Sequence, residues 1–146
     1  MLKSKIRNKL LKTRKNSNKK NIQIKFEKIY KLLKKITNLR DKIVGGYYPV
    51  NYEIDDLDIL GRLEKKKITI SLPSIKKNYK MNFIKCSLNA PFVLNQYGIP
   101  EPSSGTVVNP DILLVPLVAF DKNLNRLGYG AGYYDRLIES LKKKKK

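Results

Sequence analysis

The stretch that decides the fold runs from Asn125 to Arg136 and reads N-R-L-G-Y-G-A-G-Y-Y-D-R. It follows the most apolar run of the chain, Asp111 to Phe120 (D-I-L-L-V-P-L-V-A-F). A short run rich in valine, leucine and isoleucine predicts a buried strand. Leu137, Ile138 and Leu141 predict a helix after the glycines. A strand, a glycine loop and a helix in this order present backbone N–H groups and a helix N-terminus to a phosphate in α/β proteins.

The loop carries the three kinds of group that a nucleoside triphosphate with Mg²⁺ requires. Glycines alternate through residues 128–132, and glycine adopts positive φ and lets a ligand approach where a Cβ would obstruct it. Arg126 and Arg136 flank the loop as cations, and the carboxylate of Asp135 can hold a hard metal ion. The spacing is neither that of a Walker A loop nor that of the dinucleotide-binding fingerprint. A glycine-rich turn with tyrosines packed on the sheet is the alternative that spacing alone leaves open.

Length and composition favour a single globular domain. The chain has 146 residues, and 41% of them are hydrophobic. We expect one domain over residues 1–141 and a disordered lysine tail over residues 142–146. The basic N-terminus lacks the apolar core of a signal peptide, and no apolar run is long enough to cross a membrane. We therefore expect a cytoplasmic protein, and a monomer.

The residue types that are missing limit the chemistry. There is no histidine and one cysteine, Cys86, so an internal disulfide and a Ser-His or Cys-His couple are excluded and a zinc site is disfavoured. The net charge of +20 would suit nucleic acid or another polyanion. The excess is mostly scattered lysine, however, and no nucleic-acid-binding motif accompanies it. We expect no specific nucleic-acid binding, and a general polyanion binder stays as an alternative.

The N-terminal part of the chain predicts two helices. Ile6, Leu10 and Leu11 indicate a short basic helix with Lys3 and Arg7 one turn apart on one side, ended near Asn16 to Asn18. The clearest helix is predicted from Ile22 to Leu39. Its core-facing residues at a spacing of three to four are Ile22, Phe26, Ile29, Leu33 and Ile36.

Strands and helices alternate in the rest of the chain. Strands are predicted at Lys42 to Val50, at Lys67 to Leu72 with a stop at Pro73, and at Met81 to Ile84. A helix is predicted from about Asp55, and Asn95 to Pro102 is predicted to be a loop. This order predicts an α/β fold with a largely parallel sheet flanked by helices in three α/β/α layers. Tyr48 to Glu53 and Arg126 to Asp135 both follow strands, so we expect them to face one cleft.

Several stretches together resemble one family, the 5-formyltetrahydrofolate cyclo-ligases, also called methenyltetrahydrofolate synthetases. They occur in the family's order between Lys3 and about Leu141. The matching stretches are K-S-K-I-R (3–7), Y-Y-P-V-N-Y-E-I-D (47–55), I-S-L-P (70–73), Y-G-I-P-E-P (97–102) and D-I-L-L-V-P-L-V-A-F-D (111–121) with N-R-L-G-Y-G-A-G-Y-Y-D-R (125–136).

The resemblance implies an enzyme that closes 5-formyltetrahydrofolate to 5,10-methenyltetrahydrofolate, converting ATP to ADP and phosphate with Mg²⁺. It implies that Asp135 would ligate Mg²⁺, and that no side chain would act as a catalytic nucleophile, acid or base. The ATP-binding residues that it implies are Lys3, Arg7, Arg126, Leu127, Gly128, Tyr129, Gly130, Ala131, Gly132, Tyr133 and Tyr134. The folate-binding residues that it implies are Tyr48, Glu53, Tyr129, Gly130, Ala131, Gly132 and Tyr133.

Alternatives remain for single residues and for the chain. Tyr48 could instead be an aromatic residue at the edge of the core, and Glu53 an acid at a helix N-terminus. Ala131 stands where the family usually has glycine, and alanine costs roughly 1 kcal/mol if that position needs positive φ. Family members normally continue through a further strand and helix with a second acidic residue near the metal. The resemblance therefore implies a shortened C-terminal end, and a catalytically weak remnant that still binds ATP or folate is an alternative function.

Overall fold

The computed structural model describes residues 2–17 and 22–144. Four helices and nine strands lie in these two segments. In chain order they are α1 Leu2–Ser17, α2 Phe26–Ile36, β1 Ile43–Gly45, α3 Leu57–Lys65, β2 Thr69–Lys76, β3 Lys80–Lys85, β4 Phe92–Leu94, β5 Pro100–Pro102, β6 Val107–Val108, β7 Ile112–Leu113, β8 Ala119–Phe120, β9 Arg126–Leu127 and α4 Tyr133–Lys144.

Five of the strands form one mixed sheet in the order β6-β3-β2-β1-β7. β1 runs parallel to both β2 and β7, whereas β3 runs antiparallel to β2 and β6. The predicted α/β fold is confirmed, but the sheet is mixed rather than largely parallel. The physical reason is a tight turn after β2, in which Asn78 and Tyr79 adopt positive φ. So short a connection can only return the chain as an antiparallel neighbour.

Helices cover both faces of this sheet, as the three-layer prediction requires. On one face α2 and α3 enclose the main core, in which Val44, Leu60 and Leu72 are almost fully buried. On the other face Phe83 of β3 packs edge-on against Tyr134 of α4, with ring centroids 6.5 Å apart. Phe83 pairs with Pro73, the residue that follows Leu72 in β2. Because successive strand residues point to opposite faces and Leu72 points into the main core, Phe83 and α4 lie on the other face.

The predicted long helix is shorter than its hydrophobic pattern. α2 begins at Phe26 and ends at Ile36, because the backbone at Lys25 and Thr37 is extended. Phe26 and Leu33 are buried in the core as predicted. Ile22 and Ile36 were also predicted to face the core, and both are 68% exposed. The prediction is therefore wrong at both ends. The helical spacing of apolar residues extends in the sequence beyond the segment that packs against other elements.

The apolar run from Asp111 to Phe120 is not one buried strand, and that prediction is wrong. It contributes β7 to the edge of the main sheet and β8 to a separate pair with β9. Pro116 lies between them, and proline cannot donate a ladder hydrogen bond. Phe120 at the end of the run is 66% exposed. The run therefore forms an irregular connection that leads from the sheet to the glycine loop.

Other predicted boundaries also move. The first predicted strand is reduced to β1, and the predicted loop at residues 95–102 contains β5, which pairs with β4. β2 continues through Pro73, which was predicted to stop it. The N–H of Ile75 points away from β3, towards Glu101. Pro73 lies two residues earlier, so its nitrogen faces the same side of β2, towards β1. β1 has already ended at this point, so the proline removes no ladder hydrogen bond.

The lysine run is helical as far as it is described. α4 includes Lys142, Lys143 and Lys144, so the prediction of a disordered tail is wrong for these three residues. Lys143 pairs with Glu139 one turn earlier, and cations are favoured at a helix C-terminus. Residues 145–146 lie outside the described part, and the domain boundary at residue 141 stays a prediction. In the described segments, no helix combines the length and the apolar character needed to cross a bilayer.

Candidate functional site

One cleft of about 610 Å³ collects the residues that the sequence singled out. Its walls come from α1, from the segment after β1, from the second half of β2 and from the loop that leads into α4. The prediction that the segments at residues 48–53 and 126–135 face one cleft is confirmed. The predicted site residues that line it are Lys3, Arg7, Tyr48, Glu53, Arg126, Leu127, Gly128, Tyr129, Gly130, Ala131, Gly132, Tyr133, Tyr134 and Asp135.

The basic face of α1 is held against the glycine loop. The Nε of Arg7 donates a hydrogen bond to the carbonyl of Gly128 at 2.7 Å. A Cβ placed on Gly130 would lie 3.4 Å from the Arg7 guanidinium, so the loop closely approaches this side chain. Gly130 and Gly132 have φ of +112° and +71°. Ala131 does not adopt positive φ, so the alanine at this position carries no such strain.

Asp135 offers one carboxylate at the rim of the cleft. Its side chain is 76% exposed and forms an ion pair with Arg126, whose guanidinium also lies over the Tyr134 ring. Among the described residues, no group of three or more acidic or cysteine side chains is placed to hold a metal ion. Mg²⁺ commonly binds one or two carboxylates together with water and substrate phosphates. The single exposed carboxylate of Asp135 beside the glycine loop fits that donor set.

Arg136 supports the loop from outside the cleft. Its guanidinium donates to the carbonyl oxygens of Tyr79 and Ala131. It also lies 5.7 Å from the centroids of the Tyr79 and Tyr133 rings. The sequence placed Arg136 beside the loop as a cation, and the structure shows it bound to protein groups.

Glu53 lies opposite the glycine loop. One of its carboxylate oxygens accepts a hydrogen bond from the backbone N–H of Val50 at 2.7 Å. Burial raises the pKa of Glu53 above its ordinary value. The hydrogen bond from Val50, the nearby Tyr129 hydroxyl and the positive charge of Arg14 oppose the rise. Burial and the neighbouring Glu53 also raise the pKa of Tyr129, which keeps its hydroxyl protonated and able to donate.

Aromatic side chains form the rest of the wall on this side. Tyr48 lines the cleft and packs against Phe92 with ring centroids 6.3 Å apart. Tyr97, from the segment Y-G-I-P-E-P, brings its hydroxyl within 3.1 Å of that of Tyr133. This segment was used for the family resemblance, but Tyr97 was not predicted from the sequence as a site residue. The cleft therefore combines flat aromatic surface and the Glu53 carboxylate on one side with cations and the Asp135 carboxylate on the other, which suits a planar heterocycle next to phosphates.

Arg14 is a second contact that the sequence reasoning missed. Its guanidinium donates to the Tyr129 hydroxyl at 2.9 Å and to the carbonyl oxygens of Leu117 and Val118 at 2.6 and 2.8 Å. A signal for it was present, because residues 3, 7 and 14 fall on one face of a helix with 3.6 residues per turn. All three are cations on the side of α1 that meets the loop.

Asp56 is a buried carboxyl behind the cleft wall. The residue is 2% exposed, and its Oδ2 accepts a hydrogen bond from the Tyr47 N–H at 2.9 Å. Its Oδ1 has no hydrogen-bond partner among the described residues. Burial raises the pKa of Asp56 to about 7, and the hydrogen bond from Tyr47 opposes the rise only in part. Below about pH 7, the folded protein therefore favours the protonated form of this acid.

The raised pKa of Asp56 predicts a pH-dependent stability. The unfolded chain has a pKa of about 3.9 for aspartate, so between about pH 4 and pH 7 the folded state binds the extra proton. The contribution is fully present below about pH 4 and is lost as the pH rises through 7. A difference of about three pKa units corresponds to about 4 kcal/mol, so Asp56→Asn should gain about that much unfolding free energy relative to the wild type from pH 4 to pH 8. Urea unfolding at both pH values measures it.

The control for this pH dependence is Asp58→Asn, on the same helix. Asp58 is exposed and pairs with Arg62 on the surface. Exposed pairs contribute little, so this variant should follow the wild-type pH dependence. Parallel stability curves for Asp56→Asn and the wild type would contradict the assignment.

The fold and the cleft define a class of protein before any comparison is made. This is an α/β protein whose cleft faces cations and a glycine loop on one side and aromatic rings with a carboxylate on the other. The model of the 5-formyltetrahydrofolate cyclo-ligase family matches residues 1–146. The chain therefore belongs to the 5-formyltetrahydrofolate cyclo-ligase family, which confirms the resemblance seen in the sequence.

Relatives and solved structures agree with this assignment. The chain is 35% identical over 111 residues to the 5-formyltetrahydrofolate cyclo-ligase of Haemophilus influenzae, covering 70% of this chain and 59% of that protein. It is 34% identical over 113 residues to the enzyme of the same name from Mycoplasma genitalium, covering 75% of this chain and 58% of that protein. The chain thus spans less than two thirds of the length of either relative.

Two solved structures share the fold. The NMR structure of Aquifex aeolicus 5,10-methenyltetrahydrofolate synthetase superposes with a TM-score of 0.75 at 33% identity, covering 95% of this chain and 73% of that one. A 5,10-methenyltetrahydrofolate synthetase from Mycoplasma pneumoniae gives a TM-score of 0.61 at 24% identity, covering 95% and 78%. The second likeness is evidence for the fold alone.

Proposed function

We propose that this chain catalyses the ATP-dependent cyclisation of 5-formyltetrahydrofolate to 5,10-methenyltetrahydrofolate, with release of ADP and phosphate. The observation that carries the proposal is the single cleft in which cations of α1 meet the glycine loop opposite Glu53 and Tyr48. Membership of the family and the names of the relatives support the same reaction. ATP would be the co-substrate and Mg²⁺ the metal ion.

The cationic side of the cleft would hold ATP. Lys3 and Arg7 face the loop of residues 126–134, whose backbone N–H groups and Arg126 complete a surface for phosphate oxygens. Asp135 would hold Mg²⁺, which would neutralise phosphate charge. Positioning and charge neutralisation are the main demands of phosphoryl transfer, and these residues meet them although the chain has no histidine.

The aromatic side would hold the folate. The carboxylate of Glu53 would accept hydrogen bonds from N–H donors of the pterin, and Tyr48 would stack on a ring. The loop from Tyr129 to Tyr133 would touch both substrates. The formyl oxygen would attack the γ-phosphate of ATP and displace ADP. N10 of the folate would then attack the activated carbon, and loss of the N10 proton to water and of phosphate would give the methenyl product. No protein nucleophile is needed for either step.

The other expectations from the sequence stay predictions. They are a cytoplasmic location, a monomeric state and the lack of specific nucleic-acid binding. If the +20 charge instead served a general polyanion, affinity for any duplex would fall steeply with added salt.

The test is the growth of the methenyl-folate absorbance band when the purified chain is mixed with 5-formyltetrahydrofolate, ATP and Mg²⁺. We expect growth that requires ATP and that falls at least about 10-fold in Asp135→Ala, through loss of a metal ligand. Asp41→Ala, which also removes an exposed carboxylate but lies outside the cleft, is the matched control and should retain full activity. A folded sample that shows no growth would overturn the proposal. Calorimetric binding of ATP or folate by that sample would favour the catalytically weak remnant.

A further inference from the structure

We propose that Glu101 is a positioning residue that fixes the β4–β5 hairpin (residues 92–102) on β2 and so places Tyr97 in the wall of the cleft. The inference rests on the proposed function, because it concerns the side of the cleft that would hold the folate. Among the described strands, β4 and β5 form a two-stranded sheet of their own, so strand pairing does not attach the hairpin to the main sheet. Its attachment depends on side chains, and the contacts of Glu101 carry the inference.

The carboxylate of Glu101 covers the edge of β2 beyond the end of β1. Its Oε1 accepts a hydrogen bond from the hydroxyl of the buried Ser74, and its Oε2 accepts one from the Ile75 N–H, both at 3.0 Å. β1 ends at Gly45, opposite Ser71, so its carbonyl groups do not reach this part of β2. Glu101 thus takes the place of the missing neighbouring strand, and a charged acceptor makes the stronger kind of hydrogen bond.

The same carboxylate reaches the turn at the tip of the hairpin. Its Oε2 also accepts a longer hydrogen bond, of 3.4 Å, from the side-chain amide of Asn95. The Oδ1 of Asn95 in turn accepts from the backbone N–H groups of Tyr97 at 2.9 Å and Ile99 at 3.2 Å. The turn therefore has a fixed shape, and Glu101 sets where it lies relative to β2.

Tyr97 is the residue through which this attachment would act on the ligand. Its side chain lines the cleft, although the residue is 52% exposed. Its hydroxyl lies 3.1 Å from that of Tyr133, and the two rings meet edge-on with centroids 6.4 Å apart. The tip of the hairpin therefore contacts the loop that would touch both substrates. Because half of the Tyr97 surface has no protein neighbour, its position depends on the backbone that carries it.

This arrangement predicts a specific kinetic signature. Glu101→Ala should raise the folate KM about 5- to 10-fold, the loss expected for one aromatic contact, while kcat changes by less than about 2-fold. Tyr97→Ala should have an effect of the same size. Glu101→Gln should keep a nearly normal folate KM, since its amide oxygen can accept from Ile75 and its amide nitrogen can donate to Ser74. Glu139→Ala, which removes an exposed carboxylate outside the cleft, is the control and should leave the folate KM unchanged.

The deciding experiment uses the fact that the chain contains no tryptophan. Tyr97→Trp introduces a single indole at the tip of the hairpin, and its fluorescence anisotropy reports local motion without any substrate. We expect the anisotropy to fall when Glu101→Ala is added, and to keep its original value with Glu101→Gln or Glu139→Ala. In a double-mutant cycle measured by calorimetry, Glu101→Ala with Tyr97→Ala should bind folate no more weakly than the weaker single variant. An unchanged anisotropy in Glu101→Ala, or losses of folate affinity that multiply, would overturn the inference.

Ser74→Ala replaces Glu101→Ala in the anisotropy measurement if the latter does not fold. It removes only the donor to Oε1, so the anisotropy should fall in the same direction but less. An unchanged value would contradict the role of Glu101. Failure of the proposed function would look different, because a wild-type chain that neither binds nor converts folate would refute that function. The anisotropy would still show whether Glu101 holds the hairpin.

Discussion

Replacing Arg7 with alanine should weaken ATP binding about 100-fold, more than the loss of any exposed lysine of α1. Two contributions act together at this residue. The guanidinium would pair with phosphate oxygens, and a hydrogen bond to a charged group contributes about 1.5–3 kcal/mol. Its Nε also holds the carbonyl of Gly128 at 2.7 Å, so the variant frees the loop that must wrap the nucleotide. A 100-fold loss corresponds to about 2.7 kcal/mol, which lies within that range.

The measurement for Arg7→Ala is calorimetric titration with ATP and Mg²⁺ in the absence of folate. Lys12→Ala is the matched control, because it removes one positive charge from an exposed position of the same helix away from the cleft. It should lower the affinity less than 3-fold, since salt and water screen an exposed charge that does not contact the ligand. Equal losses in the two variants would show that α1 acts only through its overall charge, and the assignment of Arg7 would fail.

The sequence predicted the cleft better than it predicted the sheet. Tyr48, Glu53 and the loop from Arg126 to Asp135 were expected to meet because each segment follows a strand, and they do line one cleft. That expectation survived errors in the strands themselves. It depended only on the order of elements and on where irregular segments leave a sheet, and neither changes when a strand is shortened.

The errors arose where tertiary context overrides a local pattern. The helical spacing of apolar residues included Ile22 and Ile36, yet both side chains are exposed because no other element covers them. Pro116 divided an apolar run that composition alone predicted as one strand. Pro73 was expected to end β2. Whether a proline interrupts a strand depends on which neighbouring strand its nitrogen faces, and the local sequence does not show this. Periodicity carries no information on which neighbours exist.

The sequence predicted only some of the α1 residues that contact the rest of the protein. Lys3 and Arg7 were placed in the site by resemblance, whereas no role was predicted for Arg14 from the sequence. In a chain with 32 basic residues, one arginine does not stand out by charge. What distinguishes Arg14 is its set of three acceptors, two of which are carbonyls more than 100 residues away in the chain. Only folding brings them together.

The second large effect is expected in the glycine loop, where Gly130→Ala should lower ATP affinity about 30-fold. Gly130 has φ of +112°, outside the small left-handed region open to other L-residues, and such strain costs about 1–3 kcal/mol. The added Cβ would lie 3.4 Å from the Arg7 guanidinium, which is van der Waals contact, so the cost comes from the backbone conformation. The loop must therefore change shape at this residue or carry the strain.

Backbone strain at Gly130 can be separated from ligand contact by measuring urea unfolding without ATP. Gly128→Ala is the matched variant, because Gly128 does not have positive φ and a Cβ there meets no atom within 4 Å. It should leave the unfolding free energy unchanged or slightly raised, since alanine lowers the entropy of the unfolded chain. Gly130→Ala should lower it by about 1–2 kcal/mol. Equal stabilities for the two variants would mean that the loop adapts freely, and the ATP site would then not depend on the conformation of Gly130.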